Sequence, residues 1–142
     1  MATAKWREDN REHARAYARN HYGKGLNNLR CRWKQMQYRS ERAGREFPLT
    51  FDAFEQWWKE TPSRCAYCGI RQKYLVQAYP SAHATKTRDL TVDRIDNALP
   101  YQIGNLTKAC WQCNTIKGDT FSFAEMKQIG ELIQWLIVKR FS

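Results

Sequence analysis

Four of the five cysteines form two pairs with the spacing of a metal site. One pair is Cys65 and Cys68, the other is Cys110 and Cys113, and two residues separate the members of each pair. This spacing lets backbone N–H groups turn toward the sulfurs, and two such pairs supply the four tetrahedral ligands of a structural Zn²⁺ ion. Disulfides are a poor alternative because nothing suggests export, and a thioredoxin-like redox centre needs one pair in a βαβ context. The fifth cysteine, Cys31, is expected to be a thiol without function.

The 41 residues between the two pairs contain further side chains that can bind a cation. A strand is predicted from Leu90 to Ile95, a turn-rich loop follows from Asp96 to Gly104, and a second strand is predicted from Asn105 to Ala109. A short helix is predicted to begin near Cys113. Asp93 lies in the first strand and Asn114 in the short helix. A carboxylate and an amide carbonyl are oxygen ligands of the kind that Mg²⁺ prefers.

Taken together, these motifs resemble the HNH endonuclease family, also called the ββα-metal or His-Me finger nucleases. The resemblance covers 55 residues, from Cys65 to Asp119. It implies an α+β fold: a small ββα-metal, treble-clef-like zinc-bound core with flanking α-helices. It also implies a single-metal endonuclease that hydrolyses DNA phosphodiester bonds, by nicking or double-strand cutting. The length is similar to that of phage or mobile-element enzymes of this family.

The resemblance assigns a role to each matching residue. Asp93 is the acidic ligand of a catalytic Mg²⁺ or Mn²⁺ ion, and Asn114 is the second ligand. Asn105 fastens the loop between the strands, and Lys117, one helical turn beyond Asn114, is placed to meet a phosphate. The zinc ion holds the scaffold and does no chemistry, because four thiolates leave no open coordination position.

One position departs from the family pattern, because Arg94 stands where the family has its general-base histidine. Arginine stays protonated at neutral pH and cannot accept a proton from water. Three interpretations remain open. In the first, the general base is another residue, either Asp96, on the same strand face as Arg94, or His83. In the second, bulk or metal-bound hydroxide attacks while Arg94 clamps the scissile phosphate. In the third, the protein is a catalytically inactive, zinc-dependent DNA-binding module.

Most of the excess positive charge lies in the first third of the chain. The formal net charge is +10, and residues 1–46 hold 12 basic and 5 acidic residues, a net charge of +7. We therefore predict a basic helical arm over residues 1–46 that binds DNA phosphates, and a nuclease domain over residues 47–142. A treble-clef protein-interaction domain would not need such an arm. The predicted DNA-binding residues are Arg7, Arg11, Arg15 and Arg19, which recur every four residues, and Arg30, Arg32 and Lys34 on a second helix from Leu26 to Ala43.

The remaining segments are predicted to surround the core. Thr50 is a plausible N-cap for a helix from Phe51 to Glu60, and residues 70–88 show no clear period, which predicts a loop or a ragged hairpin. Ser122 and Glu125 form a capping box for the final helix. No apolar run is long enough for a signal peptide or a membrane span, so we expect a cytoplasmic protein; the oligomeric state stays open. The residues expected to face the core from the final helix are Met126, Ile129, Ile133, Leu136 and Ile137.

Overall fold

The chain divides into two compact units, Met1–Glu55 and Gln56–Ser142. The structure, a computed structural model, describes residues 10–12, 26–80 and 89–141. The predicted division into a basic arm, residues 1–46, and a nuclease domain, residues 47–142, stays a prediction. Of the four arginines expected on the first helix of the arm, Arg11 is exposed on the helical residues 10–12. The other three, Arg7, Arg15 and Arg19, lie outside the described residues.

The first unit is built around helix α1, Leu26–Arg42, and the start of helix α2, Phe51–Glu60. Trp33 explains why residues 47–55 belong to this unit. Its indole N–H donates to the Leu49 carbonyl at 2.9 Å, and its ring lies 5.8 Å from the Phe47 ring and 6.0 Å from the Phe51 ring, centroid to centroid. These contacts fasten the segment after residue 46 to α1, because burial of large aromatic side chains is a strong source of cohesion.

Both ends of α2 are capped by side chains. The Thr50 hydroxyl accepts a hydrogen bond from the Ala53 amide at 3.2 Å, as the sequence predicts. At the other end, the buried ammonium of Lys108 donates to the Trp58 and Thr61 carbonyls at 2.7 and 2.8 Å. A cation beside the last carbonyls of a helix supplies the hydrogen bonds that these carbonyls lack and interacts favourably with the negative end of the helix dipole.

A two-stranded hairpin and a short helix form the centre of the second unit. Strand β1, Thr91–Arg94, pairs antiparallel with β2, Leu106–Ala109, in the register that sets Asp93 opposite Thr107. The chain then turns at once into helix α4, Trp111–Lys117, whose N-cap is Cys110. The predicted strand–strand–helix order is therefore confirmed, and the helix begins two residues earlier than expected because the Cys110 sulfur accepts the Cys113 amide.

The segment between the first cysteine pair and β1 is not the predicted loop or hairpin where the structure describes it. A 3₁₀ turn covers Gln72–Tyr74, and helix α3 covers Leu75–Ala78. Leu75 and Ala78 are fully buried, and one helical turn places both on the same side. A single turn is too short to show a helical period in the sequence. Residues 81–88, including His83, lie outside the described residues.

The last helix, α5, runs over Phe123–Val138 and closes the core around the four cysteines. The capping box of Ser122 and Glu125 is confirmed in both of its hydrogen bonds, at 2.9 and 3.1 Å. Met126 and Ile137 are buried, but Leu136 is 47% exposed and does not face the core as predicted. It lies 100° around the helix from Ile137, beyond the edge of the buried stripe. No helix among the described residues combines the length and the apolarity needed to cross a bilayer.

Candidate active site and structural metal centre

The four paired cysteines converge on one point in the core. Their sulfur atoms all lie within 4.8 Å of one another, and each residue is buried. The Cys68 and Cys110 sulfurs are 3.8 Å apart, which is the edge expected for a tetrahedron of about 2.3 Å zinc–sulfur bonds. This all-thiolate donor set therefore suits a structural zinc ion, as the cysteine spacing predicts.

Local backbone turns hold each pair in position. The Tyr67 amide donates to the Cys65 sulfur and the Cys113 amide donates to the Cys110 sulfur, both at 3.4 Å. Gly69 adopts a φ of 76°, which the first turn requires and which other residues rarely adopt. Hydrogen bonds from Cys110 and Cys113 lower the pKa of the Cys65 thiol. Hydrogen bonds from the other three cysteines raise the pKa of Cys113, and zinc binds all four residues as thiolates.

Asp93 is nearly enclosed, with 7% of its surface exposed at the third position of β1. The Tyr67 hydroxyl donates a hydrogen bond to its Oδ2 atom. The Lys117 ammonium forms an ion pair with the same oxygen at 3.3 Å. Each carboxylate oxygen has two lone pairs, so a hydrogen bond and a cation can share one atom. The carboxylate is thereby held in one orientation from two sides.

Tyr67 is the residue that sequence analysis missed. It lies between two zinc ligands, where an aromatic residue is expected to pack, and its ring does pack on Phe123 with centroids 5.4 Å apart. Burial, followed by the hydrogen bond to Asp93, raises the pKa of Tyr67, so its hydroxyl stays protonated and can donate. No local pattern links residues 67 and 93, because their contact depends on how the zinc cluster packs on the hairpin.

Lys117 is placed differently from the prediction. Its side chain is fully buried, and besides Asp93 its ammonium donates to the Arg94 carbonyl at 3.0 Å and to the Asn97 side-chain oxygen at 2.9 Å. A fully buried and paired ammonium has no surface for a phosphate. The expected phosphate contact is therefore wrong for this conformation. Lys117 instead fastens the end of α4 to the end of β1.

Asn114 lies on the same helix–strand interface as Asp93. Its side-chain N–H group donates to the Thr91 hydroxyl at 3.1 Å. Thr91 and Asp93 are two residues apart in β1 and so share one strand face. Asn114 and Lys117 are three residues apart in α4 and so share one helix face. The two predicted ligands of the catalytic cation thus lie on facing elements, and the carbonyl oxygen of Asn114 is the atom that can serve as a ligand.

The loop between the two strands is held by Asn105, which is buried. Its side-chain oxygen accepts the Asp96 amide at 2.8 Å, and its side-chain nitrogen donates to the carbonyls of Asp96, Leu99 and Pro100 at 3.1, 3.3 and 2.9 Å. Asp96 is exposed and accepts the Ala98 amide at 2.9 Å. It lies beyond the end of β1, in the turn, so the expectation that it shares a strand face with Arg94 is wrong.

Arg94 belongs to the same loop. Its guanidinium donates to the Asn97 and Leu99 carbonyls at 2.8 and 3.1 Å and lies over the Tyr101 ring, 5.5 Å from the centroid. The residue is 9% exposed. The guanidinium therefore stabilises the loop in this conformation, and a direct clamp on a phosphate would compete with those two hydrogen bonds.

The basic residues of α1 are arranged unevenly. Lys34 is exposed, and Arg30 is exposed with its guanidinium 4.1 Å from the centroid of the Phe51 ring. Arg32 is half-buried, and its role in DNA binding stays a prediction. The helix alone therefore presents fewer free cations than its sequence suggests, because stacking on an aromatic ring occupies one face of Arg30.

Comparison with known proteins supports the resemblance that the motifs indicate. The fold is similar to a solved structure of the rare-cutting HNH restriction endonuclease PacI, with a TM-score of 0.69 and 27% sequence identity. The similarity covers 80% of this chain and 81% of that chain. No protein-family profile matches the chain, and no curated protein matches it. The predicted α+β fold with an HNH-like, four-cysteine core is thereby confirmed.

Proposed function

We propose that this protein is a divalent-cation-dependent DNA endonuclease that hydrolyses phosphodiester bonds at a site formed by Asp93 and Asn114. The α4–β1 interface is the observation that carries the proposal, because Asn114 bonds to Thr91, two residues before Asp93 on one strand face. Two oxygen donors on facing elements of an HNH-like fold suit Mg²⁺ or Mn²⁺. When bound, such an ion stabilises the charge on the phosphate and on the leaving oxygen.

The surrounding residues hold these two donors rigidly. Tyr67, between the first pair of cysteines, and Lys117, at the end of α4, both contact the Asp93 carboxylate and orient it. Arg94 and Asn105 donate hydrogen bonds to carbonyls of the loop that follows β1 and so support the end of the strand. The zinc cluster keeps the Tyr67 turn in place. A catalytic site needs this kind of support because a small displacement of a metal ligand lowers the reaction rate many-fold.

The basic arm, residues 1–46, contributes affinity for DNA without sequence preference. The logarithm of the DNA-binding constant falls linearly with the logarithm of the salt concentration. Each phosphate that the arm neutralises makes that slope steeper by about 0.9. Replacement of Arg7, Arg11, Arg15 and Arg19 together by alanine therefore reduces that slope by up to about 4 units and leaves the zinc content unchanged. Fluorescence anisotropy of a labelled duplex between 50 and 300 mM salt measures the slope. An unchanged slope would remove the arm from the DNA-binding surface.

A DNA-binding module without hydrolysis is the second candidate, and Arg94 favours it. The family's base position holds an arginine, and its guanidinium is engaged with the Asn97 and Leu99 carbonyls. Arginine does not accept a proton near neutral pH. This candidate keeps the zinc cluster and the arm but has no use for a cation at Asp93.

Incubation of supercoiled plasmid with the purified full chain separates the two candidates. The nuclease converts the plasmid to nicked or linear forms when Mg²⁺ or Mn²⁺ is added, and it stops when the cation is removed by dialysis with the zinc content unchanged. Asp93→Ala reduces the rate by about 100-fold or more, because the cation supplies several kcal/mol of stabilisation. Asp119→Ala, at an exposed position on the same unit, is the matched control and retains activity.

DNA affinity measured on the same variants completes the test. Binding retained in Asp93→Ala with cleavage lost supports the nuclease. Binding without cleavage by the unaltered chain, under either cation, supports the second candidate and overturns the first.

A further inference from the structure

The outer face of α5 exposes a row of large apolar side chains. Leu132, Trp135 and Val138 are 58%, 57% and 60% exposed, and each lies three residues from the next. Residues at this spacing are neighbours along one helix face. The opposite face, with Met126 and Ile137, is buried in the core. A row of neighbouring, exposed, large apolar side chains is typical of a surface that binds another molecule.

Two opposite charges stand at the ends of this row. Glu131 precedes Leu132, Lys139 follows Val138, and each is exposed and four residues from Trp135. The Lys139 ammonium lies 3.3 Å from the centroid of the Trp135 ring. Read from either end, the row is a charge, an aliphatic residue, the tryptophan, an aliphatic residue and the opposite charge. Two copies of this row that run in opposite directions would therefore place opposite charges against each other at both ends.

We infer that this face binds the same face of a second copy of the chain, as an antiparallel helix pair with a two-fold axis at Trp135. Such an axis sets Leu132 against Val138 of the second copy, about 4.5 Å from the axis along the helix, at 1.5 Å per residue. It also sets Glu131 against Lys139 of the second copy, the first residue of the 3₁₀ turn that follows α5. Each pair occurs twice, as a closed two-fold interface requires.

The charges select this occupant over the alternatives. A parallel pair of helices would set Glu131 beside Glu131 of the second copy and Lys139 beside Lys139 of the second copy. Like charges in contact repel each other. A DNA surface is anionic, and protein surfaces that bind it are polar and strongly basic. The α5 face is apolar and has an acidic residue at one end. A second copy of the chain satisfies both the apolar row and the two charges.

The oligomeric state of the full chain without DNA tests the inference. Sedimentation equilibrium detects a concentration-dependent dimer. Trp135→Glu raises the dimer dissociation constant by about 30-fold or more, the usual effect of losing a central tryptophan. Ile103→Glu, which changes an equally exposed apolar residue on the loop between the strands, is the matched control and leaves the dimer intact. Circular dichroism and zinc content verify that both variants are folded.

A charge-reversal cycle tests the antiparallel register. Glu131→Lys alone and Lys139→Glu alone each weaken the dimer, because each places two like charges together. The double variant E131K/K139E restores it, because every pair is again opposite in sign. A monomer at all concentrations, a dimer that tolerates Trp135→Glu, or a double variant as weak as the single ones would overturn the inference. So would a monomer whose affinity for duplex DNA falls in Trp135→Glu, since that result assigns the face to DNA.

Discussion

The Tyr67 hydroxyl is hydrogen-bonded to the Asp93 carboxylate, 26 residues further along the chain. Tyr67 lies between the cysteines of the first pair, so this bond joins the zinc cluster to the carboxylate that we propose as a catalytic ligand. A structural metal and a catalytic site are often described as separate parts of a small protein. Here one side chain connects them, and changes at either place are expected to affect the other.

Tyr67→Phe tests this connection with little change in packing. The phenylalanine ring keeps its contact with Phe123, and only the hydrogen bond to Asp93 is lost. Loss of such a supporting bond lowers metal affinity or activity by about 10- to 100-fold. Plasmid cleavage as a function of Mg²⁺ or Mn²⁺ concentration measures the effect, and DNA affinity serves as the control. Cleavage equal to that of the unaltered protein would show that the bond does not position the carboxylate.

Gly130 is predicted to tolerate no side chain. A Cβ atom there would lie 2.9 Å from the Cα atom of Tyr67 and closer still to its carbonyl group. Gly130→Ala therefore displaces α5 from the Tyr67 turn at a cost of about 1–3 kcal/mol. Urea unfolding measures this cost, and cleavage falls with it because Tyr67 moves. Gln128→Ala, at an exposed position of the same helix, is the control; equal stability of the two variants would refute the close packing.

Asn105→Asp changes one atom and removes all three donor bonds to the loop. A carboxylate cannot donate to the carbonyls of Asp96, Leu99 and Pro100, and it would be buried facing them. We expect a loss of about 1–3 kcal/mol in the free energy of unfolding. Faster hydrogen exchange at the Ala98 amide should accompany it. Gln35→Glu, the same amide-to-acid change at an exposed position, is the control and should change the free energy of unfolding little. An equally small change in Asn105→Asp would contradict the assigned hydrogen bonds.

Removal of one zinc ligand should unfold much of the second unit. Cys113→Ser takes a buried ligand from a core that is built around the four sulfurs. We expect the zinc content to fall and Tm to drop by about 10 °C or more, since metal binding is part of the folding free energy. Elemental analysis and thermal melting provide the readouts. Cys31→Ser is the matched control because Cys31 is not among the four clustered cysteines, and its melting temperature should stay within a few degrees.

The locally encoded features of this protein could be predicted from the sequence. The spacing within each cysteine pair is set by one turn of backbone, and the capping box of Ser122 and Glu125 by a single helical turn. The hairpin and the helix after it follow from short runs with clear turn residues at their ends. These features depend on contacts between residues that are close together in the chain, and the local sequence is enough to determine such contacts. The four-cysteine cluster was predictable because a metal needs all its ligands at one point.

Contacts between distant segments were decided only by the tertiary structure. Lys117 looked like a free cation on a helix, but packing of α4 on β1 buries it against Asp93. The sequence left three interpretations open for Arg94, and the tertiary structure shows that the loop folds back onto its guanidinium. Tyr67 reaches Asp93 because the first zinc turn packs on the hairpin. Long polar side chains have many rotamers of similar energy, so the surrounding fold, and not the residue type, selects which partner each one meets.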